Sequence, residues 1–196
     1  MTTPPPLEYG RYYHIYNRGN NGETLFRNKR NYHYFMELYA RHVSPIAKTF
    51  AYCLNPNHFH FGVEIKTEAE IQEIAKKRKI STPSHSFGNL FNAYAKSYNN
   101  AYARTGSLFE KPFHRKIVND DAYFWRLVMY IHHNPQKHGL IDDFRLWDYS
   151  SYTSFLSKQP TRLMRDEVLA KFGGVENFKK DHDEYEPKEM DEEFDI

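Results

Sequence analysis

Apolar and polar positions alternate over YGRYYHIYNRG, and the run closes on Asn17-Arg18-Gly19, so it predicts a first strand. NNGETLF, which follows, has the composition of a turn. Over residues 28–43 the period changes: Tyr32, Phe35, Met36, Tyr39 and Val43 recur at helical spacing and predict an amphipathic helix. Between Thr49 and Ile65 two β-rich halves, TFAYCL and HFHFGVEI, flank the turn cluster Asn55-Pro56-Asn57 and read as a hairpin. EAEIQEIAKKRK is a charged segment, either a short helix or a loop, whereas FGNLFNAYAKSYNNAYAR is helical over roughly four or five turns. TGSLFEKPFHRKIV reads as a loop then a strand, because its Gly and Pro break any helix. In DDAYFWRLVMYIHHNP, Asp120 or Asp121 can cap a helix expected to end before Pro135. DDFRLWDYSSYTSFL is an aromatic loop, and RDEVLAKFGGVENFKKDHDEY predicts one or two short helices.

No internal repeat interrupts this order. Strands separated by helices, with one hairpin, predict an α+β fold: an antiparallel sheet covered on one face by helices, ferredoxin-like in layout. The 196 residues suit one domain with an extension, and 40% hydrophobic content can bury a core. The 16 Tyr, 15 Phe and 2 Trp fill such a core, but beside cations they also serve as stacking platforms for bases. A single cysteine, Cys53, excludes an internal disulfide and a Cys-based zinc knuckle, which fits a reducing cytoplasm. MTTPPPLEYG lacks the pattern of a signal peptide, and no apolar run reaches bilayer length, so a soluble cytoplasmic protein is expected. The net charge of +2 conceals an asymmetry: residues 181–196 carry nine acids and one Lys, leaving the other 180 residues at +10. A basic body suits a polyanion, although a solvated surface with a disordered tail explains the same numbers.

Within HFHFGVEI, His58 and His60 are two apart in a strand, so they project from one face about 7 Å apart along it. That is a compact pair of ring donors for a divalent metal, with Glu64 at the same parity; a satisfied structural pair is the plainer reading. In YIHHNPQKHG, a helix would align Tyr130, His133 and Asn134 at i, i+3 and i+4. Asn134 could simply end the helix and Tyr130 simply pack. If a metal sat there, however, it would help a phenol, whose ordinary pKa is about 10, act as a nucleophile. Phe109, Lys111, Phe113, His114, Arg115 and Lys116 interleave rings with cations as a sugar-phosphate groove would. Tyr16-Asn17-Arg18-Gly19-Asn20-Asn21 adds an Arg and amides for base or phosphate contact.

Together these pieces resemble the HUH endonucleases, His58-Phe59-His60 having their His-hydrophobe-His form. NPNHFHFGVE is similar to their single-tyrosine transposase branch, as are YNRG, TGSLFEKPFHRKIV and WDYSSY. YIHHNPQKHG resembles the catalytic helix of REP-associated tyrosine transposases, where the tyrosine is followed four residues later by a polar ligand and then Pro. The resemblance spans residues 9–156. It implies a nuclease domain over 1–156; the helical pattern beyond it gives an extension over 157–180, and composition an acidic, disordered tail over 181–196. It also implies Tyr130 as nucleophile on a helix against the sheet, with His58, His60 and Asn134 binding Mg2+ or Mn2+. Asn17, Arg18, Lys111, His114, Arg115 and Lys116 would contact DNA. The implied substrate is single-stranded DNA beside a hairpin, cut through a 5′-phosphotyrosine link by a monomer or homodimer. Two rivals stand beside it: a DNA-binding regulator without turnover, and a cupin-like dioxygenase using His58, His60 and Glu64. Cupins are β-barrels with flanking glycines, where this chain has Tyr52 and Ile71.

Overall fold

The structure, a computed structural model, describes residues 6–186. Its strands are β1 (Tyr12–Arg18), β2 (Ala47–Leu54), β3 (His58–Ile65) and β4 (His114–Val118). The helices are α1 (Lys29–His42), α2 (Glu68–Ala75), α3 (Pro83–Ala101), α4 (Asp121–Lys137), α5 (Tyr152–Leu156), α6 (Arg165–Lys171) and α7 (Val175–Glu184). The sheet runs β2-β3-β1-β4, antiparallel throughout, with α1 and α3 as the crossovers. That is the ferredoxin-like order expected from the pattern, preceded by no other strand among the described residues. A β-barrel of the cupin kind is excluded by the same topology.

Local chemistry explains the element boundaries. Asn28 caps α1 by accepting from the Asn31 amide at 3.3 Å, and the helix buries Tyr32, Phe35, Leu38 and Tyr39. The charged segment is a helix: Thr67 and Glu70 form a reciprocal capping box, with Ile71 the one buried residue of α2. Asp120 caps α4 through the Tyr123 amide at 2.7 Å. Contrary to expectation, α4 passes through Pro135 and ends at Lys137. Pro135 lacks one N–H near the helix end, and the terminus closes behind it: Leu140 and Gly139 amides bond to the Pro135 and Gln136 carbonyls, with Gly139 at φ +65°.

Strand parity divides the interior. Tyr13, Ile15, Phe59, Phe61, Val63 and Ile65 point toward α1 and α3. The expectation of one covered face is corrected, because α4–α7 cover the other face and every residue of β3 is buried. Phe124, Leu127, Val128 and Ile131 of α4 pack there with Phe50, Ala51 and Cys53 of β2. A bulge between Thr49 and Ala51 lets Phe50 and Ala51 enter the same cluster. At Gly62, α4 packs on β3, where an added methyl would meet Ile131 Cδ1 at an ordinary contact distance of 3.6 Å. This contact brings the C-terminal half of α4 over the β3 histidines.

The C-terminal helices belong to this second layer: Val168, Phe172 and Phe178 are buried in the cluster around α4. Helix α7 continues to Glu184, and His182 is fully buried, so residues 181–184 of the expected tail are helical. Residues 187–196 lie outside the described residues. No described helix is long and apolar enough to cross a membrane. Phe61, 1% exposed and stacked on Tyr39 at 4.4 Å, ties α1 to the sheet. Phe61→Ala is expected to lower unfolding free energy by about 3–5 kcal/mol in a urea titration.

Candidate active site

His58 and His60 lie on the α4 face of β3, with ring centroids 5.2 Å apart and planes nearly perpendicular. Above them, α4 carries Tyr130 and Asn134 one turn apart, both buried. The Asn134 amide joins the two groups: its Oδ1 lies 2.8 Å from His58 Nε2, and its Nδ2 donates to the Tyr130 hydroxyl at 3.0 Å. The Tyr130 ring stands edge-on to His60 at 5.5 Å. Tyr130 is only 1% exposed, and Lys137 Nζ sits 5.2 Å from its ring centroid.

The neighbours of His58 assign its ring proton. Asn57 Oδ1 is 2.7 Å from His58 Nδ1, so that nitrogen donates and His58 Nε2 keeps its lone pair toward Asn134. On the facing strand β1, His14 Nε2 is 2.9 Å from His60 Nδ1. His60 Nε2, on the other side of the ring, is fully buried and has no hydrogen-bond partner among the described residues. Burial, reinforced by His14, His58, His138 and Lys137, pushes the His60 pKa well below its ordinary value, so the ring is neutral. A buried, unpartnered imidazole nitrogen beside a second one and an amide oxygen fits a divalent cation. His58, His60 and Asn134 would hold it. No three His, Cys, Asp or Glu side chains among the described residues form such a group, so in this set the third donor would be an amide.

The other sequence candidates separate. His133 turns away from the sheet, donating to the Met129 carbonyl at 3.0 Å and packing on Phe144. Glu64 pairs with Lys48 at 3.4 Å. Tyr123 stands in the first turn of α4, seven residues or about 10 Å along the axis from Tyr130. Among the DNA candidates, His114 and Lys116 face the site: His114 stacks on Tyr16 at 5.0 Å, and Lys116 acts on the buried His14. Arg115 points to the opposite face, stacked over Phe113 at 4.0 Å and bonded to Ser84. Asn17 is buried and holds the Glu110 carbonyl at 3.1 Å, while the Arg18 guanidinium pairs with the Glu110 carboxylate at 2.6 Å. Lys111 is exposed on the rim of a groove of about 730 Å³ that Asn17, Phe91, Phe109 and Arg115 also line. A second groove of about 720 Å³ runs beside Gln136 and Lys137. Neither is lined by His58, His60 or Tyr130; the site is a buried contact between sheet and helix.

Sequence reasoning missed His14, Asn55, Asn57 and His138. His14 shares the parity of Tyr16 on β1, a signal that was available; Asn55 and Asn57 read only as turn residues. The His138 ring lies 4.6 Å from His58, just past the end of α4.

No family model matches the chain. A Haemophilus influenzae protein named as a REP-associated tyrosine transposase is 24% identical over 108 residues, 54% of this chain. The chain spans about 58% of that relative's length. Among solved structures, a REP-associated tyrosine transposase bound to a REP hairpin superposes with a TM-score of 0.60. That likeness covers 82% of this chain and 88% of the other at 13% identity, and it establishes a shared fold. The sequence likeness is thus to a REP-associated tyrosine transposase, and the structural likeness shows the fold. In this chain the paired histidines of β3 and the Tyr130–Asn134 turn of α4 stand against each other.

Burial pushes His14 down to about 3 through desolvation and then Lys116, and pushes His182 down to about 3, desolvation again leading. An unfolded histidine titrates near 6.5, so between those values the unfolded chain binds more protons. Stability is therefore complete above about pH 7 and falls as the pH drops, by up to about 1.4 kcal/mol per pH unit for each such histidine. Melting curves are expected to shift several degrees downward from pH 7.5 to pH 5; superimposable curves would contradict neutral burial.

Proposed function

We propose that this chain is a DNA strand transferase that cuts single-stranded DNA beside a hairpin, with Tyr130 as nucleophile. The observation that carries the reading is the Asn134 amide, which faces His58 with its oxygen and the Tyr130 hydroxyl with its nitrogen. A bound Mg2+ or Mn2+ would polarise the scissile phosphate and offset its charge. The chain's own residues supply the rest. His58 and His60 present ring nitrogens, His60 as a neutral imidazole, and Asn134 orients the phenol by donating to its oxygen, leaving the phenolic proton to depart. The Tyr130 oxygen then bonds to phosphorus as the bond to the 3′ oxygen breaks, and that oxygen leaves as a hydroxyl. The product is a 5′-phosphotyrosine that a 3′-OH can attack in reverse, so joining needs no external energy source.

His114 and Lys116 on β4 flank the same face, Lys116 supplying positive charge for the backbone and His114 a ring stacked on Tyr16. The hairpin preference rests on the relative's name and on the hairpin bound by the structural neighbour. A second reading draws on the 1% exposure of Tyr130: hairpin binding without turnover, the phenol serving only in packing.

Labelled hairpin-flanked single-stranded DNA incubated with Mn2+ separates the two. Turnover predicts an adduct that survives denaturation, is retained in Tyr123→Phe and is lost in Tyr130→Phe, with cleavage down at least about a thousandfold. Hairpin binding with no adduct in the unaltered chain favours the second reading.

A further inference from the structure

The turn before β3 places a fourth polar group at the paired histidines. Asn55 is fully buried, and its Nδ2 donates to His58 Nε2 at 2.8 Å and also to Asn134 Oδ1. With His58 Nδ1 committed to Asn57 Oδ1, His58 Nε2 is an acceptor, and Asn134 Oδ1 is one by its nature. Two acceptors therefore face each other 2.8 Å apart, a repulsive arrangement unless something positive lies against both. In the structure the Asn55 N–H groups play that part. They stand in for a cation at the two lone pairs that would bind one.

An amide is nearly isosteric with itself turned over, and the far side of Asn55 accepts either orientation. Its Oδ1 now takes the weak S–H donation of Cys53 at 3.5 Å; turned over, Nδ2 would face the sulfur, which is also a weak acceptor. The backbone of Asn55 is anchored independently, its N–H bonded to the His58 carbonyl at 2.8 Å, so only the side chain must rotate.

We propose that Asn55 is a further ligand of the divalent cation, binding through Oδ1 after its amide turns over. This rests on the metal reading of His58, His60 and Asn134. The resulting donor set is two imidazoles and two amide oxygens, and carbonyl oxygen suits Mg2+ and Mn2+. The amide also closes the site in the absence of metal, since its N–H groups satisfy both acceptors.

The test is Mn2+ affinity of the full chain without DNA, followed by the electron paramagnetic resonance signal of the free ion, with thermal melts alongside. Asn55→Ala should weaken binding by about 10–100-fold. Asn55→Asp, which keeps the oxygen and removes the donor, should bind Mn2+ at least as tightly as the unaltered chain. If Asn55→Ala binds normally, or if Asn55→Asp weakens binding as much as Ala, the inference is overturned, the latter result assigning Asn55 a donor role. Should Asn55→Ala fail to fold, Asn55→Asp alone decides. His58→Ala distinguishes the two levels. Loss of Mn2+ there with both Asn55 variants unaffected sinks only the Asn55 ligand, whereas normal binding in His58→Ala sinks the metal site with it.

Discussion

One side-chain amide, that of Asn134, joins the two halves of the site. Its oxygen meets His58 of the sheet and its nitrogen meets the Tyr130 hydroxyl one turn earlier on the same helix. Because an amide is planar, these two contacts lock each other: moving the oxygen off His58 carries the nitrogen off the phenol. The Tyr130 phenol and the His58 imidazole therefore share one reference point. Everything else in the second layer keeps that point within about an ångström of where it must be.

The support comes from packing. Leu127 and Ile131 of α4 lie against Gly62 of β3. Phe124 and Val128 continue the contact with Phe50 and Ala51, and Phe172 and Phe178 of the C-terminal helices press α4 from outside. His132, on the outer side of α4, is fully buried and bonds to both His182 and Ser151 at 2.8 Å. The two helices are thus joined by a neutral polar contact within an aromatic cluster. Such a contact adds direction to a packing that greasy rings alone would leave free to slide. The C-terminal extension is in this sense part of the site's scaffold.

Polar groups inside this layer follow a second rule, that buried donors and acceptors must be matched. Asn57 accepts the Nδ1 proton of His58, and His14 Nε2 lies 2.9 Å from His60 Nδ1. Neither residue carries a motif of its own. His14 is paired with His60 only because β1 and β3 lie side by side, and Asn57 reaches His58 only because the hairpin turn folds back. Arg115 is the opposite case. Its place in a basic-aromatic run suggested DNA contact, yet strand alternation sends it to α3 while its neighbours His114 and Lys116 face the site.

What the sequence alone determined is what short-range periodicity encodes. Alternation put His58 and His60 on one face, the 3.6-residue repeat put Tyr130 over Asn134, and the succession of strands and helices specified a ferredoxin-like sheet. These rest on backbone geometry within a few residues, so they survive without any knowledge of neighbours. Only the tertiary structure decided that the second face is covered, that α4 runs through Pro135, and that His133 faces outward while Asn134 faces in. It alone brought in Asn55 and His14. Those outcomes depend on which surface a helix lands against, and hydrophobic burial has no direction along the chain. A pattern can say which residues share a face; only packing says what that face meets.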